Sequence, residues 1–474
     1  MHFAADPKAA LRGNLQAAGS TAAWALMASA MVIESDVYRY VAIPMAIYAL
    51  TRHSTIIKQV SRDWLAILCY LWAAYVLARF VSGIVLFGEK GASEWLYAFP
   101  ALFPLLGVAI YAAQRYLFAA ATTVLVGGLI ALLATLDLQP LIAGQRSAPL
   151  FHHNPIHAAV GCAILFISSL FWLLYAAETG RLAGRRKWFA LALGISTGLL
   201  SLIGVLGAQS KGVWVALAIT MAFIAFLSFW FLAGRWRLTI LSILVASSAI
   251  CALLAAPYVD EVAGPTIAAS EKALSFSWAE GPSGAMLSSI QDPDTPASMR
   301  ERLMLWFNAL ELTEAAPFFG WGNLWLSEWR KTSFASSVSH TLLHNGYLEI
   351  LVRHGLFGIT FLAVFAVTAA VRLQLAHRSG SIATSTTAYL FSISFFFFFT
   401  IATNSNNRLA LGESFFLLVG GAVFVVTLLN QLSEAARLLI PSAVRSPVIT
   451  AADTPSEKVA GRRRVSSSYK LPPR

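Results

Sequence analysis

The residues with the clearest capacity for chemistry lie between Ser339 and Gly358, in SHTLLHNGYLEILVRHGLFG. His340 and His344 stand four apart where a polar segment gives way to an apolar run. A histidine at such a boundary can take a proton from a hydroxyl, or orient it as a neutral imidazole, because its ordinary pKa lies near neutrality. On a helix, Tyr347, Leu348 and Leu351 would share the face of His344. The alternative is an amphipathic interface residue with no chemistry. The His340/His344 spacing also suits zinc, but a zinc-protease signature needs Glu beside the first His, and Thr341 stands there. A second cluster, His152, His153 and His157 in FHHNPIH, likewise shows no further ligand at a characteristic distance. The sequence therefore predicts neither a metal nor a cofactor.

Cations form the second set. Arg146 precedes FHHNP. Lys211 opens an apolar run in AQSKGVWVAL, so a helix N-terminus with a cation beside it offers an anion site. Arg302 precedes Trp306 by four and shares its helix face. Each has a plain alternative: a snorkelling lysine, or an arginine stacked on Trp306. Asp292 and Asp294 in QDPD read as a turn ahead of a helix rather than an acidic pair for metal.

The elements that must position these groups are membrane helices. Of 474 residues 58% are hydrophobic and only 12% charged, against about 25% charged in soluble domains. Mean hydropathy is +0.68. Apolar runs near the length needed to cross a bilayer recur at 19–33, 37–50, 64–87, 95–113, 116–137, 157–177, 187–207, 211–233, 237–256, 355–373, 386–403 and 414–433. The expected fold is an all-α polytopic bundle of about twelve transmembrane helices with one long periplasmic loop. Lys and Arg alternate loop by loop, which puts the N-terminus, the 52–62 loop, Arg115, Arg181–Lys187, Arg235, Arg372 and Arg378 in the cytoplasm. The net charge of +11 is accounted for by this topology and does not call for nucleic acid. Arg146, Lys211, Arg300, Arg302, Arg330, Lys331 and Arg408 break the rule by lying outside, where cations can hold phosphate or pyrophosphate. Arg79 is the one charge read inside a span.

The domain reading is a cytoplasmic N-terminus at 1–18, helices one to nine over 19–256, a periplasmic loop with amphipathic helices and the catalytic motif at 257–354, helices ten to twelve over 355–433, and a disordered basic tail at 434–474. Leu303, Trp306, Phe307 and Leu310 recur at helical spacing, and Pro317 with FFGWGN closes that helix. Cys69, Cys162 and Cys251 fall in apolar runs as small packing residues.

Four pieces occur in one order: Arg146 with FHHNPIHAA, QSKGVW, RLMLWFNALELTEAAPFFGWGN, and HNGYLEILVRHGLFG. Together they resemble the bacterial O-antigen ligase and polymerase superfamily over roughly residues 20–430. The resemblance implies a glycosyltransferase of the inner (plasma) membrane, with its site on the periplasmic face. The donor would be undecaprenyl-diphosphate-linked O-antigen, and the acceptor lipid A-core, in lipopolysaccharide biosynthesis. It makes His344 and Arg302 catalytic, and Arg146, Lys211 and Arg302 the pyrophosphate grip, with His340, Asn345 and Trp306 in support. Lys211 stands where the family commonly has Arg, so the planar fork is lost there. A polymerase, a protein O-oligosaccharyltransferase and, from another class, a lipid-linked glycan transporter remain as alternatives to a metal-independent, inverting ligase.

Overall fold

The computed structural model describes residues 7–231 and 236–439. The expected tail beyond residue 439 and Arg235 lie outside the described residues, as does the side chain of Arg408. The helices are α1 (Pro7–Met27), α2 (Val37–Arg52), α3 (Ser54–Val60), α4 (Trp64–Phe87), α5 (Phe103–Ala112), α6 (Leu117–Thr135), α7 (Leu138–Ile142) and α8 (Pro155–Glu178). They continue with α9 (Arg186–Gly207), α10 (Lys211–Phe231), α11 (Trp236–Gln291), α12 (Ala297–Ala315), α13 (Trp325–Trp329), α14 (Gly346–Arg378), α15 (Thr384–Thr403) and α16 (Ala410–Leu439). The described residues contain no strand beyond one isolated parallel bridge between Ile33 and Phe151.

Among the described residues, nine helical segments are long and apolar enough to cross a membrane, and they coincide with nine of the twelve expected spans. The protein is a multi-pass membrane protein. The expected spans at 19–33 and 37–50 fall on α1 and α2. α2 has only 16 residues and contains Pro44; the first half of α1 carries Lys8, Arg12, Asn14 and Gln16. The expected span at 237–256 falls in α11, whose side chains before residue 256 are outside the described residues.

α8 sits at the centre. It begins at Asn154, whose side chain accepts from the Ile156 N–H, and Pro155 suits the first helical position. It is apolar all round and two thirds buried, as a bundle core helix should be. A separate apolar cavity of about 280 Å³ lies among α4, α14, α15 and α16, lined by Trp72, Phe361, Phe365, Phe397, Phe415 and Phe416. Contacts between loops support the grouping of loops read from charge. Arg372 on α14 pairs with Asp63 before α4 at 2.8 Å, and Glu178 at the end of α8 accepts from the Thr384 and Ser385 backbone at the start of α15.

Two departures matter for the site. The segment at 257–354, expected as a loop with amphipathic helices, starts as a continuation of α11, which runs helical through Pro257 and Pro265 to a break at Gly281. α14 begins nine residues before the expected span, at Gly346, and is broken at Gly355 (φ 61°, ψ −158°). At that break the N–H groups of Leu356 and Phe357 donate to the Pro317 and Phe318 carbonyls at 2.8 and 3.0 Å. The turn after α12 therefore fills the gap in the α14 ladder. A Cβ at residue 355 would lie 2.4 Å from the Phe318 carbonyl carbon, whereas one at Gly380 (φ 71°) meets open space. Gly355→Ala should then cost about 2 kcal/mol or more, and Gly380→Ala about 1 kcal/mol or less, in thermal unfolding of the detergent-solubilised protein. Equal losses would show that the close approach to Phe318 contributes nothing.

Candidate active site

His344 does not lie on a helix. It occupies the loop before α14 in the left-handed region (φ 50°), which is uncommon for a residue with a Cβ. Both neighbours hold it there. On one side Leu343 is fully buried; its N–H donates to Glu349 Oε1 at 3.0 Å, and its carbonyl accepts from the Trp306 indole at 2.8 Å. On the other side Asn345 caps α14, its side chain accepting from Tyr347 and Leu348 N–H. Trp306 therefore anchors this loop, a different task from carrying Arg302 on its ring.

The hydrogen bonds settle the tautomer. Asn404 Oδ1 accepts the Ser405 N–H at 3.1 Å, while its Nδ2 donates to Asn406 Oδ1 at 2.8 Å. The amide oxygen thus faces His344 Nδ1, 3.1 Å away, so Nδ1 carries the proton and Nε2 carries the lone pair. His340 Nε2 lies 3.0 Å from that Nε2 and must donate to it. His340 Nδ1 in turn is 3.5 Å from Glu301 Oε1. The two histidines do meet, as their spacing suggested, but through a turn. Burial, with Arg302 and His340 nearby, moves the His344 pKa below its ordinary value despite the Asn404 hydrogen bond. At neutral pH the imidazole is neutral.

Beneath the loop lies a buried ion cluster that the sequence reading missed. Arg353 and Glu349 are 0% exposed and Glu94 is 2% exposed. Arg353 Nε is 3.0 Å from Glu94 Oε2, its Nη1 bonds Glu349, and its guanidinium stacks 4.0 Å over Trp325. The Trp325 indole donates to Glu94 at 2.9 Å, and Ser405 Oγ donates to Glu349 at 3.0 Å. The available signal was a Glu and an Arg four apart inside a hydrophobic helix, where ionisable groups are rare and paired. Arg79, the one intramembrane charge read from the sequence, donates to the Phe319 and Gly320 carbonyls and to Tyr75.

Arg146, Lys211 and Arg302 come from three separate elements. Ser147 N–H donates to the Gly207 carbonyl at 2.9 Å. Gln209 donates to the Gly144 carbonyl at 2.8 Å and to Tyr258 at 2.9 Å. These bonds draw the Arg146 loop to the start of α10. Lys211 donates to Thr266 at 2.6 Å on α11. Arg302 is depressed below its ordinary pKa by burial and by Arg146, and it acts in turn on His344. Among the described residues, neither Arg146 nor Arg302 has an ion pair or hydrogen bond. Of the other cations that break the charge alternation, Arg300 holds the Asp292, Pro293 and Thr295 carbonyls, and Lys331 pairs with Glu328. Asp292 and Asp294 bind Lys272, with Asp294 N–H on Asp292 in a turn. The arrangement combines one basic imidazole nitrogen with three cations short of carboxylates, suited to a phosphorylated leaving group.

Residues 196–363 match the family model described as O-Antigen ligase. The matched segment is similar to that family. The match supports the superfamily resemblance, and with it a membrane glycosyltransferase-like enzyme acting on lipid-linked glycan and lipid substrates. The matched segment contains Lys211, Arg302, Trp306, His340, His344 and Asn345; Arg146 lies upstream. No curated protein matches the chain significantly. Arg353→Met would leave Glu349, and with it Glu94, as buried uncompensated carboxylates. The expected loss is about 3–5 kcal/mol in thermal unfolding, with part recovered when Glu94→Gln and Glu349→Gln are added. A single-variant loss below about 1 kcal/mol would be that of an exposed pair and would remove the cluster as the support of the His344 loop.

Proposed function

We propose that the protein is an O-antigen ligase. It transfers O-antigen polysaccharide from undecaprenyl diphosphate to a sugar of lipid A-core, at the periplasmic face of the inner membrane. The observation that carries this reading is the pairing of a neutral His344, with its lone pair fixed on Nε2, with Arg302, Arg146 and Lys211. His340 Nε2–H sits 3.0 Å from His344 Nε2, in the place an acceptor hydroxyl would take. With the hydroxyl there, its proton passes to Nε2 as its oxygen bonds to the anomeric carbon. The bond from that carbon to the diphosphate oxygen breaks, and the electron pair leaves with the diphosphate. The three cations stabilise the charge that develops there. Direct displacement inverts the anomeric configuration. The diphosphate already activates the donor, so the step needs no metal.

The apolar cavity supports a lipid donor. Its lining includes Ile350, Ile401 and Asn407, and Asn407 donates to the Gly346 carbonyl at 3.4 Å, two residues from His344. A prenyl chain held among the phenylalanines would present its head group beneath the His344 loop. The choice of lipid A-core over a second lipid-linked repeat as acceptor rests on the single external segment and its free cations. Transfer is tested in proteoliposomes containing lipid-linked O-antigen and rough lipopolysaccharide, with a chelator present. His344→Ala should lower the rate about 10²–10⁴-fold. Elongation of the donor with no modified lipopolysaccharide would make the protein a polymerase.

The pH profile follows from the depressed His344 pKa. Below its pKa the imidazolium cannot accept the hydroxyl proton, so the rate falls with decreasing pH. Because that pKa lies below the ordinary value of about 6.5, the acid limb should fall below it too, with a plateau through neutrality. An acid limb centred above about 7 would assign the limiting proton to another group.

A further inference from the structure

We infer that Glu34, His152 and His157 form a binding site for a divalent first-row transition metal such as Zn²⁺, which clasps the α1–α2 loop to the start of α8. One ligand atom from each of the three residues lies within 4.8 Å of the others. His157 Nδ1 is 3.5 Å from Glu34 Oε1, close to the edge of about 3.4 Å set by tetrahedral bonds of about 2.1 Å. Two imidazoles and a carboxylate are a donor set that zinc takes with its fourth position open.

The independent observation is the state of His152. Its side chain is only 6% exposed. Its Nε2 faces the Met31 carbonyl at 3.2 Å, which makes that nitrogen the donor and leaves the lone pair on Nδ1. Buried Nδ1 has no hydrogen-bond partner among the described residues. An imidazole that donates one nitrogen to a carbonyl and holds the other ready is the arrangement in which histidine ligates metal. The backbone is also set for it. Phe151 N–H donates to the Val32 carbonyl at 3.0 Å, and Glu34 N–H to the Phe151 carbonyl at 3.3 Å, so the loops bearing Glu34 and His152 are joined beside the ligands. Gly161 admits the contact: a Cβ there would lie 2.3 Å from the Met31 carbonyl oxygen and 3.2 Å from His152 Nε2.

The site uses none of the residues assigned to glycan transfer and lies outside the segment matched by the O-antigen ligase family. Its role is structural. An ion here would hold the strand pairing of residues 32–34 with 151, and with it the loop that leads back to Arg146. The sequence alone left a metal at FHHNPIH unsupported, because Glu34, more than a hundred positions upstream, was not visible as a ligand.

The test uses the full chain in detergent, with any affinity tag removed. It is stripped with a chelator, then dialysed against buffered Zn²⁺. Bound zinc is measured by mass spectrometry and the unfolding midpoint by intrinsic fluorescence. Wild type and His340→Ala should each hold one zinc per chain and unfold at a higher temperature with zinc than without. His157→Gln and Glu34→Gln should lose both the zinc and the shift. Glu34 is partly exposed, so its variant keeps the test sound if His157→Gln folds poorly. Absence of stoichiometric zinc from wild type, or zinc kept by both ligand variants and lost in His340→Ala, would overturn the assignment.

Discussion

The contact on which the site depends is the buried bridge of Arg353 to Glu94 and Glu349. One cation between two carboxylates leaves a negative charge in a medium where an uncompensated charge costs several kcal/mol. The balance comes from donors: Ala92 N–H and the Trp325 indole on Glu94, and Leu343 N–H and Ser405 O–H on Glu349. Those donors belong to the loops that matter. Leu343 precedes His344, and Ser405 follows Asn404. Glu349 therefore fixes both the imidazole and the amide that sets its tautomer, from a single carboxylate oxygen. A change at Glu94, far away in sequence, reaches His344 through Arg353 and Glu349. Such a residue acts by positioning, and its loss would alter the pH profile as well as stability.

The cations obey a different constraint. Arg302 is mostly buried beside Arg146 and acts on His344, and the carboxylate that acts on it among the described residues is Glu301. Like charges held together in a partly desolvated place repel, and the chain spends several hydrogen bonds on holding them there: Ser147 to Gly207, Gln209 to Gly144, and Lys211 to Thr266. Elsewhere the fold avoids such conflict. Arg372 has Asp63, Arg39 has Glu413, and Lys272 has two aspartates. An arrangement that is costly alone and relieved by a multivalent anion is what a pyrophosphate site requires.

How far the sequence could be read follows from the range of the signals. Hydrophobic runs are local, and nine expected spans recur in the fold. Cations that break the charge alternation are local signals too, and Arg146 and Arg302 lie near enough to Lys211 to act on it. His344 was legible from its place at the edge of an apolar run. Its geometry was not, because spacing of four suggests a helix whereas Asn345 caps the helix one residue later and leaves His344 in a left-handed turn. Asn404, Glu94 and Glu34 were invisible as partners, since their contacts bridge segments separated by 60 residues or more. The unbroken passage of α11 from the expected span into the expected loop was not legible, for a physical reason. The end of an apolar stretch marks where a helix leaves lipid, not where its hydrogen-bond ladder stops. Pro257 and Pro265 lower helix propensity but are carried within it.

The distribution of charge also bears on enzyme against transporter. A carrier of an anionic lipid needs polar groups along a route between the two faces. Arg79 and Arg353, two cations set within helices, are both consumed: one by the Phe319 and Gly320 carbonyls, the other by two carboxylates. The cavity between α4, α14, α15 and α16 is walled by aromatic and aliphatic side chains, with Asn407 at the end next to the His344 loop. It can shelter a prenyl chain but offers no stepping stones for a diphosphate. Cations free of carboxylate partners gather at the end that holds His344, whereas Arg372 and Glu178 at the opposite end are engaged. A lipid-linked substrate drawn to such a surface would be held at one face with its head group beside a basic nitrogen. That geometry favours chemistry on the head group over its passage.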